Sequence, residues 1–224
     1  MTTNGSGPGD AGLASHFAAD PEQVAALYDR WAEADYDADL AAWNYEAPAR
    51  AAAIVAQSMA GRTNTRILDA GCGTGLVGAA LRQLDAGDHA VRIVGGDFSP
   101  ASTDAARRCG AYDEVVHLDL NRRLDFPDAS FDAAVSVGVF SYLTDSRGTI
   151  DELLRVVVPG ATVVFTQRTD LWEARDFGSI IAAVADDQQC TAHVSDVAPY
   201  LPGHSEFGDQ IGIHYVTLRR TTSA

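Results

Sequence analysis

Residues Ile67-Leu68-Asp69-Ala70-Gly71-Cys72-Gly73-Thr74-Gly75 constrain the fold of this chain more than any other stretch. An apolar run ends at an acid, and three alternate glycines follow. The apolar residues Leu76, Val77, Ala80, Leu81 and Leu84 then recur with a helical period. Strand, glycine turn and helix in this order form the usual cradle for a nucleotide-like cofactor. Glycine lets the backbone come close to a ligand where a side chain would collide. Asp69 adds a restriction, because a carboxylate there repels phosphate and can hold a cationic amino group.

Bulk properties narrow the partners. A chain of 224 residues suits one domain with appended helices. Its net charge of −15 argues against nucleic acid and anionic membrane, both of which need basic surface. Small molecules are the expected substrates. All 16 basic residues are arginine. The lack of lysine rules out a Schiff-base enzyme, a lysine-bearing P-loop and a Tyr-x-x-x-Lys dehydrogenase. Cys72, Cys109 and Cys190 are scattered and odd in number, which points to a reducing compartment without a disulfide framework. No apolar run reaches the ~20 residues that span a membrane. The Gly/Thr/Asn-rich start lacks the apolar core of a signal peptide. These features predict a cytoplasmic protein with a disordered leader over residues 1–19.

Along the chain, Asp20-Pro21-Glu22-Gln23 has the residues of a helix start. A second helix is expected after Pro48, and the two make N-terminal lid helices over residues 20–60. A core over 61–224 then alternates strands and helices. Strands are expected at Arg66–Ala70, Val91–Gly95, Glu114–Leu120, Phe131–Val137 and Thr162–Gln167. Helices are expected at Leu76–Leu84, from Ser99-Pro100 to about Arg108, and near Ile150–Val157, stopping at Pro159-Gly160. This rhythm predicts an α/β fold with a mostly parallel sheet. The tail breaks it, with one helix around Trp172–Ala185 and then Ala192–Val197 and Ile211–Leu218 as an antiparallel C-terminal strand pair.

Two cofactor classes fit the glycines. Gly73-Thr74-Gly75-Leu76-Val77-Gly78 also matches the dinucleotide fingerprint Gly-x-Gly-x-x-Gly, and Asp97 lies where a ribose-binding acid is expected. Asp97 therefore suits either class, whereas Asp69 disfavours a pyrophosphate. The glycine segment resembles the first motif of class I S-adenosylmethionine (SAM) dependent methyltransferases. Leu124-Asp125-Phe126-Pro127-Asp128-Ala129-Ser130-Phe131-Asp132 resembles that family's L-x-F-P-x-x-S-F-D stretch. Tyr28-Asp29-Arg30-Trp31-Ala32-Glu33-Ala34-Asp35-Tyr36-Asp37, Tyr45-Glu46-Ala47-Pro48 and Thr166-Gln167-Arg168-Thr169 resemble the Williams–Beuren-region methyltransferase-like group within it.

The resemblance implies a Rossmann-like class I fold and SAM as cofactor, leaving S-adenosylhomocysteine (SAH). It places Asp69 toward the ammonium, Asp97 at the ribose hydroxyls, and Asp119 with the following backbone at the adenine. The implied cofactor set is Tyr36, Asp69, Gly71, Cys72, Gly73, Gly75, Asp97, Phe98, Ser99, Asp119, Leu120 and Val137. Many relatives carry a glutamate-histidine pair after the fourth strand, where this chain has Ser141-Tyr142, so no acid–base pair carries over. Tyr142, His204 and Arg168 are the candidate catalytic residues. Arg168 could pair with an acceptor carboxylate, and His204 could act as a base. Histidine spacing gives no metal site.

Methyl transfer from SAM needs mainly alignment, which can supply about 7–11 kcal/mol; a base adds about 3–5 kcal/mol. The expected function is methyl transfer to a small organic molecule, in bacterial secondary metabolism, by a monomer or homodimer. Cyclisation or rearrangement on a SAM-binding fold, a non-catalytic SAM-binding protein and a dinucleotide oxidoreductase are the alternatives.

Overall fold

The computed structural model describes residues 36–85, 90–188, 190–208 and 210–222. The helix expected from Asp20, with Tyr28 and Trp31, lies outside these residues. Helix α1 (Tyr36–Ala42) and helix α2 (Ala47–Ser58) precede strand β1 (Arg66–Ala70) and helix α3 (Leu76–Leu84). Strand β2 (Arg92–Asp97), helix α4 (Pro100–Cys109), strand β3 (Glu114–His117) and strand β4 (Phe131–Ser136) follow. Helix α5 (Ser146–Val156), strand β5 (Val157–Arg168), helix α6 (Thr169–Ala174) and helix α7 (Phe177–Gln188) come next. Strands β6 (Cys190–Val194), β7 (Ala198–Pro199) and β8 (Gly212–Arg220) close the order.

The sheet runs β3-β2-β1-β4-β5-β8-β6, with β7 on β8. The first five strands are parallel, and β8 is antiparallel to β5, β6 and β7. This is the Rossmann-like arrangement expected from the alternating elements, with its antiparallel C-terminal pair. Strand residues alternate between two buried layers. Ile67, Ile93, Val135 and Val164 pack with Ala51 and Val55 of α2 and Val77 and Leu81 of α3. Leu68, Val94, Ala134 and Phe165 pack with Leu153 of α5 and Phe177 and Ile181 of α7. Burial on both faces explains why these strands are apolar nearly throughout. Helix α2 thereby fastens the N-terminal segment to the sheet.

Several boundaries differ from the sequence reading. Helix α5 begins at Ser146 rather than near Ile150, and the strand expected over Ala192–Val197 is divided between β6 and β7. Three further differences have a local cause. Strand β3 stops at His117, because Asp119 turns the chain by accepting the Asn121 N–H at 3.0 Å. Pro159-Gly160 lies inside β5 rather than before it. The β4–β5 register jumps from Phe131↔Val157 to Ala133↔Thr162, so these residues sit in a bulge where proline costs no ladder bond. The single helix expected around 172–185 is broken between α6 and α7, where Asp176 has φ 46°.

Candidate functional site

The strand order reverses between β1 and β4, and ligands of open α/β sheets bind in the crevice beyond the strand ends at such a point. Two glycine turns lie there. Gly71, Gly73 and Gly75 all have positive φ (80°, 53° and 108°), and Gly138 after β4 has φ 76°. A Cβ on Gly71 would stand 2.2 Å from Val139 Cγ2, whereas one on Gly73 would meet nothing within 4 Å. The glycine loop is therefore packed below and open above.

Asp97, at the end of β2, ties this loop down. One carboxylate oxygen accepts the Gly73 N–H and the other the Ser99 N–H, both at 2.9 Å. Ser99 is buried and caps α4 by accepting the Ser102 N–H, as Ser99-Pro100 predicted. The Gly71 and Cys72 N–H groups bond the Gly96 carbonyl. Phe98 is 40 % exposed beside the His117 ring, offering an apolar face next to Asp97.

Asp69 is wholly buried beneath the loop. Its Oδ2 accepts the Tyr112 hydroxyl at 2.6 Å, while Oδ1 is buried without a hydrogen-bond partner. Burial lifts its pKa to about 7, the Tyr112 bond opposes the lift, and the nearby Asp97 charge adds to it. The Cys72 thiol is also held well above its usual range, by burial first and then by Asp69 and Asp97. An unsatisfied buried carboxylate oxygen costs free energy until a donor reaches it. A loop with open space over Gly73, an acid pair at its base and an orphan acceptor suits a ligand carrying an amino group and a diol.

Sequence reasoning missed Tyr112. Its hydroxyl also accepts the Gly78 N–H at 3.2 Å. A Cβ on Gly78 would fall 2.4 Å from the Tyr112 ring, and one on Gly95 2.9 Å from it. The third glycine of the fingerprint thus makes room for a tyrosine. The only sequence trace of Tyr112 is this pair of glycines where side chains would otherwise pack.

The predicted cofactor residues other than Tyr36 fall into three places. Asp69, Gly71, Cys72, Gly73, Gly75, Asp97, Phe98 and Ser99 gather around the glycine loop. Asp119 and Leu120 lie beyond β3; Asp119 is ion-paired with Arg122 at 3.0 Å, and the buried Leu120 gives its carbonyl to the Thr149 hydroxyl. Val137 is half-buried at the end of β4, beside Gly138, whose N–H bonds Thr166 Oγ1 at 2.9 Å.

Tyr36 and Tyr142 are half-buried over this end of the sheet. Burial raises the Tyr36 pKa well above its usual range, and Tyr200, Tyr142, Asp37 and Asp97 act in the same direction. Helix α1 is fastened to the glycine loop by the Thr74 hydroxyl, which donates to Asp37 Oδ1 at 2.6 Å.

Arg168 and His204 both lie against the Phe207 ring. Arg168 is 3 % exposed and grips Asp170 with two bonds, at 3.0 and 2.7 Å. The His204 ring stacks on Phe207 and meets Trp43 edge-on, and its Nδ1 accepts the Glu206 N–H at 3.1 Å. Arg175, also missed, donates to the carbonyls of Phe140, Ser141 and Leu143 and so holds the loop that carries Tyr142.

The family model that matches residues 68–165 is described as a methyltransferase domain. The chain is 36% identical over 159 residues to the human methyltransferase-like protein 27, covering 70% of this chain and 62% of that protein. The match therefore spans less than two thirds of that relative. It is 30% identical over 167 residues to a phosphatidylethanolamine N-methyltransferase of Cereibacter sphaeroides, covering 72% of this chain and 73% of the relative. Among solved structures, that of the [4+2]-cyclase SpnF superposes with a TM-score of 0.61 at 21% identity, covering 78% of this chain and 81% of that one.

Proposed function

Because the chain belongs to the class I SAM-dependent methyltransferases, we propose that it transfers a methyl group from SAM to a small organic acceptor. The observation that carries this reading is the glycine cradle with its two acids. Gly73 is open to a ligand, Asp97 grips the cradle, and Asp69 Oδ1 awaits a donor. SAM would supply a methyl group already activated by positive sulfur.

Asp97 would accept the ribose hydroxyls. Asp69 would meet the ammonium, and Tyr36 would cover the cofactor. Gly71, Cys72, Gly73 and Gly75 would shape the loop around its amino-acid end, with Val137 beside it. Phe98, Ser99, Asp119 and Leu120 would flank the adenosine. Tyr142 would orient the acceptor, with His204 and Arg168 supporting the wall behind it. We read residues 1–19 as a leader, 20–60 as the lid segment and 61–224 as the core, in a cytoplasmic monomer or homodimer. Among the described residues no helix is long and apolar enough to cross a membrane. A role in bacterial secondary metabolism is part of this reading.

The test is to incubate the protein with labelled SAM and an acceptor panel and follow SAH and methylated product together by mass spectrometry. Equal amounts of both support methyl transfer. The likeness to a cyclase favours a second reading, in which product forms without SAH.

A further inference from the structure

We propose that the acceptor taken by this site is an amine, which attacks as a neutral nitrogen nucleophile and leaves as a cation sheltered by tyrosine rings. This names the substrate class of the methyltransferase reading and rests on it.

Tyr36, Tyr45 and Tyr200 pack in one cluster with Leu40, Leu201 and Phe207, and Tyr142 acts electrostatically on all three. Tyr36 opens α1, Tyr45 lies between α1 and α2, Tyr142 follows β4 and Tyr200 follows β7; all four are half-buried. Tyr45 and Tyr200 meet edge to face at 5.7 Å. The Tyr45 hydroxyl lies 3.1 Å from where a Cβ on Gly138 would stand. Burial, and then the other phenols, keep Tyr36, Tyr45 and Tyr200 protonated well above neutral pH. The cluster thus offers neutral rings and hydroxyls, not phenolate bases.

The same wall already shelters a cation. The Arg168 guanidinium lies 5.5 Å from the Tyr200 ring and 5.0 Å from the Phe207 ring. Asp170 balances its charge through two bonds. Among the described residues, Asp37 and Asp97 act on the Tyr36 phenol, and Asp170 and Arg168 act in opposite directions on that of Tyr200. An anionic acceptor would therefore meet carboxylates beside Tyr36 and beside Tyr200. A neutral hydroxyl acceptor also has to give up its proton, a step that a base would speed. Asp97 is engaged with Gly73 and Ser99, and the His204 ring is enclosed by Trp43 and Phe207.

An amine that has first given its ammonium proton to water needs neither a counter-cation nor a base for the transfer itself. Its lone pair forms the N–C bond while the C–S bond breaks, and that electron pair goes to sulfur. The positive charge passes from sulfur to nitrogen, and a product nitrogen still bearing hydrogen then gives a proton to water. Charge of the same sign stays against the tyrosine faces throughout, which the ring quadrupoles favour.

The test uses two probes of equal shape. The protein is first titrated with SAH, and the saturated complex is then titrated with choline and with its uncharged isostere 3,3-dimethylbutan-1-ol. Choline is expected to bind at least tenfold more tightly, which corresponds to about 1.4 kcal/mol. Tyr142→Leu and Tyr200→Leu should abolish that preference, while Tyr142→Phe and Tyr200→Phe, which keep the ring, should retain it. SAH affinity, measured in every variant, reports an intact cofactor site. Equal binding of the two probes, binding of neither, or a preference that survives both leucine variants would overturn the amine assignment alone. Failure of the wild-type protein to bind SAH would overturn the methyltransferase reading and this inference with it.

Discussion

Replacing Tyr112 with phenylalanine removes one oxygen from beneath the glycine loop and should move the pH dependence of cofactor binding. Asp69 is lifted from 3.8 to about 7, mainly by burial, while the 2.6 Å bond from Tyr112 works against the lift. A lift of roughly three pKa units corresponds to about 4 kcal/mol between the protonated and ionised forms. A hydrogen bond to a charged group contributes about 1.5–3 kcal/mol, so losing it should raise Asp69 by a further one to two units. The ammonium of SAM favours the ionised carboxylate. Wild-type affinity should therefore rise between about pH 6 and 7.5 as Asp69 ionises. It should fall above about pH 8, where an α-amino group loses its proton. In Tyr112→Phe the rising limb overlaps the falling one, and affinity at pH 7 drops about 5- to 50-fold, as the ionised fraction of Asp69 falls from about a half to between about a tenth and a hundredth. Calorimetric titration with SAM from pH 5.5 to 9 reads both limbs. 5′-Methylthioadenosine, which lacks the ammonium, should show neither. Wild-type affinity unchanged from pH 6 to 7.5, or a Tyr112→Phe curve that overlays it, would refute the reasoning.

Four further outcomes are expected. Without cofactor, the native state binds more protons at Asp69 than the unfolded state does between pH 3.8 and about 7, so this group's contribution to stability falls as pH rises through that window. Asp69→Asn should remove that part of the slope, and urea unfolding at pH 5 and pH 8 measures it. Gly71→Ala should destabilise by at least about 2 kcal/mol, because φ is 80° and its Cβ meets Val139 at 2.2 Å; adding Val139→Ala should restore part of this in the same assay. Arg175→Met should lower kcat/KM about tenfold or more while SAH affinity changes less than threefold, since its bonds hold the Tyr142 loop and not the cradle. Asp37→Ala should weaken SAM binding only a few-fold, because its bond to Thr74 is exposed, and titration of the variant reads this directly.

The cradle was legible in the sequence because it is local. The apolar run at Ile67 and Leu68, three glycines and the helical spacing from Leu76 to Leu84 lie within one short stretch. The bounds of β1 and α3 fell where that pattern placed them. Asp97 was legible for the same reason, as an acid at a strand end. The support beneath the cradle was not. Tyr112 reaches Asp69 across 43 residues of chain, and Arg175 reaches Ser141 across 34. Such pairings depend on which strands become neighbours, a property no periodicity records. Arg168 and His204 stood out as reactive side chains on an aromatic-rich segment. Their environments, Asp170 for one and Trp43 with Phe207 for the other, come from tertiary packing. The break between α6 and α7 escaped notice because residues 172–185 contain no internal proline.

The most direct measurement is calorimetric titration of the wild-type protein and Asp97→Ala with SAM and with SAH at pH 7.5. Micromolar binding of both by the wild type, weakened at least tenfold in a folded Asp97→Ala variant, is the predicted result. A folded wild-type protein that binds neither, or an Asp97→Ala variant that binds as tightly as the wild type, would contradict the assignment of the glycine cradle as the cofactor site.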